Sequence, residues 1–189
     1  MTLRSLLPAA LMLIAASSSC SRSGGDAAVP KPDAWPRMEP YPEAYSRTLD
    51  GFAINDSAIV TPGDSAGWFT AAYPRYNARL YLTVTRVDPS ALAHAVDNRL
   101  ERMALNSGGS RSTLTELTAE SGFECRLMTT LSSAPTPLQF LAVRPDGCLV
   151  SGAVVIEGAA TSPPDSFAPS VAALERDIIH ALKHLDVAR

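Results

Sequence analysis

The sequence predicts an α+β fold: a single domain with a largely antiparallel sheet covered by two amphipathic helices. Three observations support this prediction. Short segments alternate apolar and polar residues, two longer segments repeat apolar residues at helical spacing, and the links between strands are of hairpin length. The order strands, helix, strands, helix is typical of α+β domains. The 189 residues, of which 46% are hydrophobic and 19% charged, suffice for one core of ordinary size.

The N-terminus predicts an exported protein. Arg4 precedes an apolar run over 6–16, and small residues continue to Cys20, which is the layout of a secretory signal. The run is too short for a transmembrane helix, and a cysteine after small residues resembles a bacterial lipobox. We therefore predict a signal peptide over 1–19 and lipidation of Cys20, which would hold the chain to a membrane. An ordinary signal peptide with an incidental cysteine is the alternative.

Glycine and proline dominate the stretch after Cys20. Gly24, Gly25 and five prolines between Pro30 and Pro42 disfavour helix and sheet. We expect residues 20–44 to form a tether and residues 45–189 to form the folded domain. The formal net charge of -3 is mild, so nucleic acid is not an expected partner.

Alternation of apolar and polar residues predicts the strands. The clearest is 78–87, where Leu80, Leu82 and Val84 share one face and Tyr81 lies on the other. A strand over 67–73 should precede it, with a turn or bulge at Pro74. The remaining strand predictions are 52–61, 112–120, 123–131, 138–143 and 148–158, with a tight turn over 145–147.

Helical spacing of apolar residues predicts two helices. The first, within 88–109, begins at an Asp-Pro-Ser cap signal and ends at two glycines, and its stripe is Leu92, Val96, Leu100 and Met103. The second, within 166–185, has the stripe Val171, Leu174, Ile178, Leu182 and Leu185. Burying the second stripe is worth on the order of 10 kcal/mol gross, so this helix should lie on the sheet.

Aromatic residues concentrate between positions 68 and 81. Strands are rich in aromatics whatever their function, so core packing is the simpler interpretation for most of these rings. The alternative is a partner or ligand surface, for which the candidates are Trp68, Tyr73, Tyr76, Asn77 and Tyr81. Tyr81 is the ring we expect to be packed beneath a helix or presented to a partner.

Two cysteines remain after Cys20. Cys125 and Cys148 either form a disulfide, which an oxidising envelope would favour, or stay as two buried thiols. In a simple meander one strand would separate them, and about 9 to 10 Å is too far for a bridge. The sequence leaves both alternatives open.

Two further patterns resemble sites of enzymes or metals. Asp177, His180 and His184 share one helix face and are weak metal candidates, but no further ligand is evident, and a solvated face is the simpler interpretation. Ser65 lies in a G-x-S-x-G pattern, which is typical of the nucleophile of a hydrolase. That site requires a helix after the serine, but the residues that follow Ser65 are strand-like. We predict no catalytic residue, no metal site and no cofactor.

Four blocks together carry a family resemblance. They are "PKPDAWPRMEPYPEAY", "YPRYNARLYLTV", "LQFLAV" followed by "LVSGAVVIEG", and the ending "SVAALERDIIHALKHL". In this order they resemble the GldD family of gliding-motility lipoproteins from Bacteroidetes; residues 106–121 and 55–67 depart from it. The resemblance implies an envelope lipoprotein required by the gliding machinery, which is tied to type IX secretion, with no established catalytic activity. A PsbP-like α/β/α sandwich is one arrangement compatible with the predicted fold.

The resemblance also sets expectations for partners and location. The partners would be other envelope proteins of a motility or secretion complex. The tether has no acidic cluster after Cys20, which favours the periplasmic face of the outer membrane. Ser57 and Ser65 each lie in an Asp-Ser-Ala triplet that resembles the O-glycosylation acceptor of exported Bacteroidetes proteins. The alternative function is a tethered periplasmic module that binds a ligand or glycan through its rings.

Overall fold

The structure, a computed structural model, describes residues 38–130 and 134–188. The predicted signal peptide, Cys20 and the tether up to residue 37 lie outside the described residues. The strands are β1 (Arg47–Leu49), β2 (Phe52–Ile54), β3 (Ile59–Pro62), β4 (Trp68–Tyr73), β5 (Ala78–Arg86), β6 (Ser112–Thr118), β7 (Glu124–Thr130), β8 (Leu138–Arg144) and β9 (Cys148–Ile156). The α-helices are α1 (Leu92–Asn106) and α2 (Pro164–Lys183).

Seven strands form one antiparallel sheet in the order β3-β4-β5-β9-β8-β7-β6, and β1 and β2 form a separate hairpin. The central pair, β5 and β9, is far apart in sequence but pairs over nine residues, from Ala78 opposite Ile156 to Arg86 opposite Cys148. Both strands carry apolar residues at every second position, so this register places their apolar sides on the same face. The predicted α+β domain with an antiparallel sheet is confirmed.

One face of the sheet carries the main core. Side chains such as Leu80, Phe140 and Val150 point to this face and pack in one cluster with residues of α2. The β1–β2 hairpin covers the same face, where Phe52 stacks on Phe140 with ring centroids 5.3 Å apart. The predicted stripe of the second helix is buried in this cluster: Val171, Leu174, Ile178, Leu182 and, just beyond the helix end, Leu185.

The helix α1 lies on the opposite face. The alternate residues of β8 and β9, Leu141 and Leu149, pack there with Met103, and the rest of the predicted stripe, Leu92, Val96 and Leu100, is half-buried in the same smaller cluster. The two helices therefore sandwich the sheet in three layers. In the described residues, neither helix combines the length and apolar character needed to cross a membrane.

The predicted strand over 52–61 is wrong as a single element. Residues 52–54 belong to the hairpin, residues 59–62 begin the large sheet, and a turn separates them. The buried Asn55 makes this turn, because its side-chain oxygen accepts a hydrogen bond from the Ser57 amide at 2.9 Å and its side-chain nitrogen donates to the Pro42 carbonyl at 2.9 Å. Asparagine favours such turns over a continuous strand.

Residues 38–44, at the end of the predicted tether, contact the folded domain. The Tyr41 amide donates to the Tyr76 hydroxyl at 2.6 Å, and the Asp56 amide donates to the Ala44 carbonyl at 2.8 Å. The Ser170 hydroxyl lies 3.1 Å from the Met38 sulfur. Residues 38–44 thus pack on the domain as a strap, the name we use for this segment.

Candidate functional site

The five residues of the predicted partner surface do not form one surface. Trp68 and Tyr81 are 55% and 45% exposed, whereas Tyr73 and Tyr76 are 2% and 4% exposed and belong to the main core. Asn77 is exposed, takes a left-handed conformation with φ 50°, and caps the short turn after β4. The assignment of Tyr73 and Tyr76 to an accessible surface is therefore corrected, because Tyr73 lies on the core side of β4, paired with Ala78, and Tyr76 is buried in the turn that follows Pro74.

The two buried rings hold the strap. Tyr41 packs edge-on against Tyr76 with centroids 4.9 Å apart, and Tyr73 stacks near Tyr76 at 6.2 Å. The Arg75 guanidinium lies 4.5 Å from the centre of the Tyr41 ring. Burial raises the pKa of Tyr73 and of Tyr76 above the ordinary tyrosine value. These hydroxyls stay protonated at neutral pH, and the cluster is packing rather than a ligand site.

The exposed rings lie on the α1 face of the sheet. Trp68 is paired with Thr83, and Tyr81 is paired with Thr70, so both side chains point to the same face as diagonal neighbours, about 7–8 Å apart. Ile59 of the edge strand, 60% exposed, lies on this face as well. All five large hydrophobic side chains that are exposed in the described residues lie on this side of the sheet: Ile59, Trp68, Tyr81, Leu105 and Leu114.

This face stays open because α1 covers only its centre. The helix packs on Leu141 and Leu149, over β8 and β9, and leaves β3, β4 and β5 uncovered. A groove remains between α1 and the β5–β9 pair, lined by Tyr81, Arg99 and Arg102 among others. Neither arginine was predicted from the sequence. Their only sequence signal is that they flank the apolar stripe of α1, which is an ordinary place for exposed charge.

Two of the weak metal candidates, Asp177 and His180, form a packing cluster with Tyr45, the residue after the strap. The Tyr45 hydroxyl donates to the Asp177 carboxylate at 2.6 Å, and the Tyr45 ring stacks on His180 with centroids 3.9 Å apart. His184 is exposed beside His180. The solvated-face interpretation therefore fits His184 and is wrong for Asp177 and His180, which Tyr45 covers. The described residues contain no group of three or more His, Cys, Asp or Glu placed to hold a metal.

Burial controls the titration of this cluster. It raises the pKa of Asp177 above the usual aspartate value, although the hydrogen bond from Tyr45 acts in the other direction. It lowers the pKa of His180, and the neighbouring His184 lowers it further. Because its pKa is lowered, His180 is neutral at neutral pH under the Tyr45 ring. The arrangement ties the start of the domain to its last helix.

Cys125 and Cys148 are two buried free thiols. The former lies on β7 and the latter on β9, with β8 paired between them. The sequence left open whether the two cysteines form a disulfide or stay as thiols, and in the structure they are thiols. Burial raises the pKa of Cys125 to about 11 and also raises that of Cys148. Both thiols are accordingly protonated and poor nucleophiles.

The two serines of the Asp-Ser-Ala triplets differ in exposure. Ser65 lies in the exposed loop between β3 and β4, where the Trp68 amide donates to its carbonyl at 3.1 Å. Strand β4 follows this loop, so the strand-turn-helix geometry of a nucleophile elbow is not formed around Ser65. Ser57 is half-buried in the turn made by Asn55. Of the two, Ser65 is the more accessible to a modifying enzyme.

Comparison with known families identifies the chain. The family model described as gliding motility lipoprotein GldD matches residues 25–187, which is most of the sequence and includes all of the described residues except Ala188. A search of curated proteins finds no significant match. The matched span includes the open face, the strap and both helices, so the surface described above belongs to the part that is similar to the family. The chain is a member of the GldD family of gliding-motility lipoproteins.

Proposed function

We propose that this protein is a non-enzymatic accessory component of the gliding-motility and type IX secretion machinery, which acts through contacts with other envelope proteins. The observation that carries the proposal is the match to the GldD family over residues 25–187. That match begins after Cys20, so the lipid anchor rests on the N-terminal pattern together with the lipoprotein character of the family.

The distribution of side chains supports contact rather than catalysis as the mode of action. The half-buried groups with shifted pKa values, Asp177 and His180, contact Tyr45 and hold the residue after the strap against α2. Three exposed apolar side chains, Ile59, Trp68 and Tyr81, lie on the neighbouring strands β3, β4 and β5 of the α1 face, and exposed apolar patches of this kind are typical of protein interaction sites. We place the domain at the periplasmic face of the outer membrane, because the tether has no acidic cluster beside Cys20.

A tethered module for a ligand or glycan is the second candidate. It is favoured by the side-by-side exposure of Trp68 and Tyr81, since aromatic rings present flat apolar surface to a sugar. Burial of Tyr73 and Tyr76 removes two of the four rings on which that candidate was built. What remains is a pair of rings on a flat sheet, which is better suited to a protein partner.

Deletion of the gene followed by complementation tests the proposal. A deletion strain should lose gliding and the secretion of type IX cargo, and the wild-type gene should restore both. Cys20→Ser should leave the protein folded but unlipidated and released from the membrane fraction, with poor complementation at native expression levels. Wild-type gliding and secretion in the deletion strain would contradict the proposal. Full activity of a soluble Cys20→Ser protein would contradict the role of the anchor.

A further inference from the structure

We propose that the groove between α1 and the β5–β9 pair binds an acidic polypeptide segment of an envelope partner, with the rings of Trp68 and Tyr81 as its apolar rim. The inference deepens the proposed function: it rests on the protein acting through protein contacts, and it adds the surface and the chemistry of the partner. Nothing in the tyrosine cluster or the strap takes part in it.

The floor of the groove is low and carries two hydroxyl groups. It is formed where Tyr81 and Thr83 of β5 lie opposite Ala153 and Ser151 of β9. Small side chains on β9 leave a volume of about 190 Å³ between the sheet and the helix, enough for one or two side chains or a short length of backbone. The hydroxyls of Thr83 and Ser151 are available to hydrogen-bond such a segment.

The charges on the helix wall are both positive. Arg99, half-buried, and Arg102, exposed, line the groove from α1. In the described residues neither guanidinium has an ion pair or a hydrogen bond, and no acidic side chain lines the groove. Arginine binds carboxylates through a planar, two-pronged pair of hydrogen bonds. Two unpaired guanidiniums in a chain of net charge -3 therefore indicate a local site for carboxylates.

The helix wall is fixed in place before any partner arrives. The buried Gln139 of β8 donates to the Met103 carbonyl at 3.2 Å and accepts a hydrogen bond from the Asn106 side chain at 3.0 Å. These bonds join the end of α1 to the floor, in the turn that carries Arg102. A preorganised wall reduces the ordering cost of binding.

The rim has the composition of a binding hot spot. Trp, Tyr and Arg are the residue types that contribute most to protein interfaces, and Trp68, Tyr81, Arg99 and Arg102 lie along one side of this face. Rings and guanidiniums together suit a segment in which acidic residues alternate with apolar or proline residues. A free phosphate would use the arginines and leave the rings exposed.

A membrane surface fits the groove less well than a polypeptide. Asp97 and Glu101 are exposed on α1, so a flat anionic bilayer approaching the helix would meet these carboxylates together with the arginines. A narrow segment can enter beside the helix and contact Arg99 without meeting them. A neutral glycan could stack on Trp68 and Tyr81 but would form no ion pair with Arg99 or Arg102.

Binding of defined peptides to the full-length protein in mild detergent tests the inference. The probes are ten-residue peptides in which Glu or Asp alternates with Leu, Pro or Tyr, each with a matched peptide that carries Gln or Asn instead. We expect the acidic peptides to bind at least about tenfold more tightly than their amide counterparts and to weaken as salt is raised. Arg99→Gln with Arg102→Gln, and separately Tyr81→Ala, should each weaken binding by roughly tenfold.

Matched controls lie outside the groove. Arg176→Gln removes an exposed arginine of α2, and Leu105→Ala removes an exposed apolar side chain of α1; neither should change peptide affinity. Equal binding of acidic and amide peptides, no peptide binding at all, or unchanged binding by the double arginine variant would overturn the inference. So would arginine-dependent binding of anionic phospholipid vesicles, or ring-dependent binding of an oligosaccharide, without binding of acidic peptides.

Failure of this inference and failure of the proposed function have different signatures. A deletion strain that glides and secretes normally, beside a groove that binds acidic peptides, would contradict only the proposed function. A deletion strain with the expected defects that the double arginine variant fully restores would contradict only the groove. The denaturation midpoint of each variant, expected to equal that of the wild type, shows that the fold is intact.

Discussion

The two faces of the sheet differ in how completely they are covered. On the α2 face a 20-residue helix, the β1–β2 hairpin and the strap pack with large apolar side chains of the sheet in the main core, and the exposed large hydrophobic side chains of the described residues all lie elsewhere. On the α1 face a 15-residue helix packs on a small cluster and leaves Trp68, Tyr81 and two unpaired arginines accessible. Stability is therefore concentrated on one face, which frees the other to contact a partner.

Truncation of a core ring should have the largest effect on stability. Phe140→Ala removes a buried ring that stacks on Phe52, and such a change costs about 3–5 kcal/mol of the free energy of unfolding. Tyr81→Ala, on the open face, is the matched aromatic change and should cost less than about 0.5 kcal/mol. Denaturant unfolding measures both. Similar losses at the two positions would remove the distinction between the faces.

Loss of the link between α1 and the sheet should have the next largest effect. Gln139→Leu removes the two hydrogen bonds that join the sheet to the Met103 carbonyl and the Asn106 side chain, which together contribute about 1–3 kcal/mol. Asn98→Ala removes an exposed amide from the same helix and should change stability by less than about 0.5 kcal/mol. An unchanged denaturation midpoint in Gln139→Leu would show that the groove wall is not held by this residue.

His180 should make stability depend on pH on the α2 face. Its folded pKa lies below the ordinary 6.5 because burial and His184 disfavour the charged ring. Between these two pKa values the unfolded chain binds more protons than the folded one, so the free energy of unfolding rises with pH and this contribution is lost as the pH falls below 6.5. His180→Gln should flatten the curve near pH 6.

The control for this pH dependence is His94→Gln. His94 is exposed on α1, on the other side of the sheet, and its replacement leaves the contacts of His180 with Tyr45 and His184 in place. Asp177, whose pKa is raised, contributes with the opposite sign at more acidic pH, because there the folded chain binds the extra proton. A wild-type curve without a positive slope below pH 6.5 would contradict the burial of His180 beneath Tyr45.

The smallest expected effect concerns a surface ion pair on the α1 side. Arg126 and Glu116 are 3.1 Å apart across β7 and β6, and both are largely exposed. Arg126→Ala should cost less than about 1 kcal/mol, and the cost should shrink further in high salt because exposed pairs are screened. A larger loss, measured by denaturant unfolding, would mean that this edge of the sheet is more stabilising than its exposure implies.

The parts of the fold that were predicted correctly from the sequence are those with a clear apolar periodicity. The stripes of both helices and the alternation of β5 correspond directly to burial, and all three are confirmed. The prediction of one strand over 52–61 is wrong because the Asn55 side chain forms a turn. The Asn55 side chain also donates to the Pro42 carbonyl, thirteen residues earlier in the chain, and this contact is not a local property of the sequence.

The exposed surface on the α1 face could not be predicted from the sequence, for a different reason. Whether Tyr73 and Tyr76 or Trp68 and Tyr81 are exposed depends on the turn at Pro74 and on the register of β4 with β5. The proximity of Arg99 to Tyr81 depends on α1 crossing back over β9, which follows from long-range strand pairing. Neither is a local property of the sequence.

Complementation by surface variants tests the division between the two faces most directly. A deletion strain would receive the gene with Trp68→Ala and Tyr81→Ala or, in parallel, with Leu105→Ala as the control on the same side of the sheet. We predict that the double variant accumulates in the membrane fraction with a wild-type denaturation midpoint and fails to restore gliding and cargo secretion, whereas Leu105→Ala restores both. Full restoration by the double variant would contradict the account.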